Sequence, residues 1–127
     1  MIGPRHYDYY RERSEHFLER FDGELEQSEY ELACELLWGA AAHAIKSAAQ
    51  KRGWEHGSHD LLRTTINRLA DENAMPHLLG QYNMMSAFHV GFYGDRQFRI
   101  EHMRLAKALV SGFAQTLESL PPDQPTS

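Results

Sequence analysis

The residues best equipped for chemistry lie in "GFYGDRQFRIEH", residues 91 to 102, where Arg96 and His102 are separated by five positions. Metal-free cleavage of a phosphodiester needs a group titrating near neutrality to move a proton, and a cation to hold charge on the phosphate. An imidazole meets the first need, and the planar fork of an arginine meets the second with bidentate contacts. Helical geometry complicates the pairing. At about 100° per residue, Arg96 and His102 point about 120° apart, whereas Arg99 is only about 60° from His102. Arg96 can join His102 only if the helix start is irregular or a second chain brings its own copy across. The competing reading is a satisfied histidine at the edge of the core, between Phe98 and Leu105, with the arginines on a solvated face.

Other candidates carry the same two readings. His89 shares a face with Tyr82, Met85 and Phe92, and Tyr93 follows closely. They could line a pocket or interface, or His89 could be buried with a partner in Tyr82, Glu35 or Lys46, since buried polar groups need one. His43 and Lys46 come from a long helix and are possible binding partners of the same site. Arg96, Arg99, Arg104 and Lys107 make a basic stripe that could contact RNA phosphates, or could be an ordinary solvated face partly neutralised by Asp95 and Glu101. Tyr7, Tyr9 and Tyr10 could stack on bases or pack across the fold. His56 and His59 in "HGSH" have a ligand-like spacing, yet no paired cysteines and no Glu-x-x-His repeats accompany them. A metal-binding bundle is thus the third-ranked reading, and the expected metal and cofactor content is none. Neither "GWEHG" nor "GFYG" matches a Gly-rich phosphate loop.

The elements that must position these residues are helices separated by marked breaks, with no convincing strand. Residues 5–21 form a polar, tyrosine-rich helix closed at Asp22-Gly23. Ser28 and Glu31 read as a capping box opening a helix over 28–52, with Gly53 at its left-handed C-terminal position. That helix is apolar nearly all round, as a central helix or one shared with a dimer interface is. Its stripes include Tyr30, Cys34, Leu37, Ala41, Ile45 and Ala48, and its run of alanines permits close helix approach. Ser58 caps "SHDLLRTTINRLA", and Asp60 sits favourably in the first turn. "DENAMP" breaks the chain, Pro76 opens a helix to about Val90, and Asp95 caps a last helix to about Leu120. The core stripe of this last helix is expected to be Phe98, His102, Leu105, Leu109, Phe113, Thr116 and Leu120.

Bulk properties set limits. The 127 residues suit one domain over 1–120 followed by a disordered tail, "PPDQPTS", at 121–127. The first 31 residues hold four basic and nine acidic side chains, which accounts for the whole formal charge of −5. A strongly basic nucleic-acid grip is therefore absent at chain level, although a local patch is compatible. One cysteine, Cys34, excludes an internal disulfide framework. No run approaches the ~18 apolar residues of a membrane span, and no secretory signal opens the chain, so a cytoplasmic protein is expected.

"YELACELLWGAAAHAIKSAAQKRGW" followed by "HGSH", then "AFHVGFYGD" before a final helix, resembles the HEPN superfamily, in particular its short stand-alone members. The likeness spans roughly residues 12 to 120. It implies an all-α, antiparallel up-and-down four-helix bundle, here with an extra N-terminal helix, acting as a homodimer. It also implies one of two functions. One is a nucleotide- or RNA-associated binding module without catalysis, which we favour. The other is a metal-independent endoribonuclease of toxin type, beside a nucleotidyltransferase or antitoxin, with Arg96 as the arginine, Gln97 its polar neighbour and His102 the histidine.

Overall fold

The computed structural model describes residues 6–90 and 100–121, with side chains described for 9–87 and 100–121. Five helices follow one another: α1 (His6–Glu26), α2 (Tyr30–Arg52), α3 (His59–Glu72), α4 (His77–Val90) and α5 (Ile100–Ser119). No strand occurs among the described residues, and none of the described helices is long and apolar enough to cross a membrane. The expected tail beyond Pro121, and the expected cap at Asp95, lie outside the described residues.

Helix α2 is the hub and packs against each of the other four, most extensively against α1. Cys34, Leu37, Ala41, Ile45 and Ala48 are buried as their spacing requires, while Tyr30 at the first turn is exposed. Its alanines let neighbours come close. Ser14 of α1 donates from Oγ to the Ala40 carbonyl at 2.7 Å within the core. A Cβ at Gly39 would stand 3.1 Å from the Phe17 ring, so only glycine leaves room for that contact without a shift. Along the pair, Tyr10 lies beside His43, and Phe17 beside both Gly39 and His43.

The α1–α2 junction differs from expectation. Helix α1 does not stop at Asp22-Gly23 but runs through to Glu26. Phe21 and Leu25, one turn apart on either side of that glycine, are both buried in the core. A helical glycine costs roughly 0.5–1 kcal/mol, whereas burying a leucine side chain gains about 1.5–3 kcal/mol. Burial wins. Ser28, expected to cap α2, instead ends α1 in a left-handed conformation with φ 61°. The Glu29 amide reaches the Glu24 carbonyl at 2.9 Å and the Ser28 amide reaches Leu25 at 3.0 Å, which satisfies the last carbonyls of α1. Glu29 then becomes the N-cap of α2 and makes no side-chain cap.

The later boundaries match the sequence reading. Gly53 is left-handed at φ 75°, and its amide and that of Trp54 close the end of α2 on Gln50 and Ala49. The Ser58 hydroxyl accepts the Leu61 amide at 3.1 Å to cap α3. Between these ends, Trp54 is flanked by two guanidinium groups, Arg68 at 3.7 Å and Arg52 at 5.6 Å from its ring centroid. Arg52 also donates to the Ala48 carbonyl and to Pro121. The α2–α3 connection is thereby fastened to both helices it joins.

Helix α5 turns a different face inward from the one its sequence suggested. Met103, Ala106, Val110, Phe113, Leu117 and Leu120 face the core. Leu105 is 68% exposed, Leu109 and Thr116 are half-buried, and His102 is exposed. Two stripes competed for this helix and share Phe113 and Leu120. The one that won buries no polar side chain, while the other would have taken an imidazole and a hydroxyl out of water. Phe98 lies outside the described residues.

Candidate functional site

A recess lies between α2 and the α2–α3 connection. Helix α2 supplies Trp38, Gly39, Ala42, His43 and Lys46, which recur at helical spacing along one face. Gly39 and Ala42 are short, so that face is hollow between the larger side chains. His56, Gly57 and Ser58, then His59 and Leu62 of α3, form the opposite wall. The cavity measures about 250 Å³. Among the described residues no carboxylate lines it.

Each polar wall has a defined setting. His43 Nδ1 lies 2.8 Å from the Gly39 carbonyl, which can only accept, so Nδ1 carries the proton. In the neutral ring, Nε2 is then the acceptor. Burial pushes the His43 pKa below its ordinary 6.5; the Gly39 hydrogen bond opposes this, and the positive charges of Lys46 and Arg13 push it further down. The imidazole is neutral near pH 7. The Tyr10 ring of α1 sits 5.9 Å from His43 and 5.1 Å from His56, and Lys46 Nζ is 5.9 Å from that ring's centroid. Phe17 closes on His43 at 5.1 Å. His56 Nε2 lies 2.7 Å from Gln50 Oε1. His59 stacks on Trp38 nearly parallel, with centroids 5.4 Å apart and planes 9° off.

This arrangement can hold a ligand and orient a proton donor or acceptor. Of the "HGSH" histidines, His56 is engaged by Gln50 and the Tyr10 ring, and His59 stacks on Trp38. Among the described residues no three His, Cys, Asp or Glu side chains gather as metal ligands. Cys34 is buried, and burial together with Glu35 and Glu31 raises its thiol to about 11, far from a reactive thiolate.

Of the other expected site residues, those with described side chains stand outside this cavity. His102 is exposed near the start of α5, a correction to its expected place on the core stripe. Arg96, Arg99 and Tyr93 lie outside the described residues, as does the side chain of His89, so the pairing of Arg96 with His102 falls there too. Lys107 departs from the expected basic stripe. Its Nζ pairs with Asp22 Oδ2 of α1 at 2.9 Å, which ties two helices together. Arg104 is exposed on α5. Of the expected binding residues, His43 and Lys46 are the two brought into one cavity.

Sequence reasoning did not assemble Tyr10, Trp38, His56 and His59 around them. A signal existed: 38, 42 and 46 fall on one line of α2 beside 39 and 43, and mix short with ring-bearing or cationic residues. The return of the α2–α3 connection over that line had no local sequence mark.

No curated protein and no solved structure matches the chain. The HEPN domain model matches residues 7–116, from the first turn of α1 almost to the end of α5. The sequence motifs, the all-helical architecture and this match agree: the chain belongs to the HEPN domain family.

Proposed function

We propose that the protein is a nucleotide- or RNA-associated binding module without catalysis of its own, built as an antiparallel bundle of helices and acting as a cytoplasmic homodimer. The observation that carries this reading is the cavity in which His43 and Lys46 meet Tyr10, Trp38, His56 and His59. Cations beside aromatic faces suit nucleic-acid components, because phosphate takes the charge and bases take the rings. Arg11 pairs with Glu118 and Asp22 with Lys107, so α1 and α5 run in opposite senses, as antiparallel neighbours in a helical bundle do. Leu105 and Ile100, exposed on α5, suit a second copy of the chain.

Fluorescence anisotropy with labelled single-stranded RNA and with labelled nucleotide tests the reading. Binding that weakens with salt is expected, and no binding of either probe would overturn it. A second reading, the metal-independent nuclease, is favoured by one observation. His102 is exposed and so within reach of substrate, rather than held in the core. Cleavage of RNA in excess EDTA, lost in His102→Ala, is its expected signature; cleavage that survives the substitution rejects it.

A further inference from the structure

We propose that the cavity between α2 and the α2–α3 connection takes a single aromatic ring system bearing one anionic group, the anion at Lys46 and the ring toward Trp38 and His59. The inference rests on the reading of this cavity as the ligand-contact surface, and narrows it to one chemistry.

Charge selects the anion. The chain carries a formal −5, yet the cavity wall contains an ammonium and three imidazoles and, among the described residues, no carboxylate. Arg13 adds a second positive charge close enough to act on His43. Among the described residues no carboxylate pairs with Lys46; its recorded neighbour is the Tyr10 ring, which holds a cation in place without neutralising it. His43 borders the same space with a neutral imidazole whose Nε2 accepts, so Lys46 is the group that meets the anion. The amide end of α3, at Ser58 and His59, borders the cavity and adds to the same sign of potential.

Shape selects the ring. Ala42 and Leu62 are the apolar floor, and the near-parallel indole and imidazole of Trp38 and His59 provide flat surfaces at one end. The cavity of about 250 Å³ is smaller than the ~300–1,000 Å³ typical of sites for drug-sized ligands. One ring system with one charged group suits that size; a dinucleotide does not. One lysine likewise suits a single phosphate or carboxylate rather than a polyphosphate. Such a ligand has two natural sources, a free mononucleotide or the terminal nucleotide of an RNA strand.

Isothermal titration of the full chain with adenosine 5′-monophosphate, adenosine, phenyl phosphate and inorganic phosphate tests the assignment. The two compounds that combine ring and anion should bind about ten-fold or more tightly than adenosine or inorganic phosphate. Lys46→Gln should reduce the monophosphate to the affinity of adenosine while leaving adenosine unchanged. His59→Ala should weaken both. Thermal melts of each variant identify any that fail to fold, and Lys46→Gln, at a half-buried position, should melt as the parent does. An RNA oligomer ending in a 3′-phosphate then separates the sources. Lys46-dependent competition with the monophosphate identifies the strand end, and absence of competition identifies the free small molecule. Equal affinity for adenosine and its monophosphate, or a monophosphate affinity untouched by Lys46→Gln, overturns the inference. RNA binding that persists in Lys46→Gln with no monophosphate binding overturns it while leaving the broader function standing; loss of all binding to the parent chain overturns both.

Discussion

The cavity beside α2 and the outer face of α5 present imidazoles in opposite ways. At the cavity, His43 is half-buried, hydrogen-bonded to its own helix and edged by Phe17 and Tyr10 from α1. On α5, His102 stands in solvent next to Met103, which takes the place in the core. The first histidine has its tautomer and charge set by packing, and the second is exposed on the surface of the fold. Placement by a central helix yields a tuned group, and placement on an outer helix yields an available one. The difference teaches where a fold of this size can fix a functional side chain: along the helix that all others touch.

The contrast is open to direct attack, most severely on α5 itself. Phe113→Ala should destabilise by about 3–5 kcal/mol, whereas His102→Ala should stay within about 0.5 kcal/mol, as denaturant midpoints will show. A large loss for His102→Ala would restore the core stripe suggested by sequence.

Two helix glycines give effects of opposite sign. Gly39→Val forces a branched side chain against Phe17, and overpacking should cost about 1–3 kcal/mol while narrowing the cavity. Gly112 on α5 has nothing within 4 Å of its missing Cβ, so Gly112→Ala should stabilise by about 0.4–1 kcal/mol. A loss at Gly112, paired with a fall in molecular mass by light scattering, would instead place the second copy on that face.

The gentlest probe is pH. Burial, together with Lys46 and Arg13, lowers the His43 pKa below 6.5 against the opposing Gly39 hydrogen bond. Below that ordinary value the unfolded chain takes up a proton that the folded chain resists. The His43 contribution to stability is therefore complete above pH 6.5 and is lost as pH falls through the folded value. His43→Gln should flatten this acid-side decline in melting temperature, and an unchanged slope would assign the decline to other groups.

Sequence carried the features that are locally encoded. Gly53 and Ser58 announced the ends they form, because a left-handed turn and a side-chain cap depend on one or two residues. The crossing of Gly23 by α1 and the reassignment of Ser28 were not legible, since both follow from burying Leu25 against distant residues. The inward face of α5 was ambiguous for a similar reason: two apolar stripes fit the helical period, and the cost of burying His102 decides between them only once a core exists. His43 and Lys46 were visible as candidates three residues apart on one helix. Their cavity was not, because its far wall returns from the α2–α3 connection and Tyr10, which contacts His43 and His56, comes from α1.

The two guanidinium groups around Trp54 bear on how tightly that cavity can hold anything. Immobilising flexible side chains on binding costs about 0.5–1.5 kcal/mol each, and a slack connection at residues 53–58 would incur that cost with every ligand. Arg68 on α3 and Arg52 on α2 both lie against the indole and so fasten the first part of the connection that leads to His56 and His59. On the proposed reading, Arg68 acts on the site from a distance: Arg68→Ala should loosen residues 53–58 and weaken binding without removing a ligand contact.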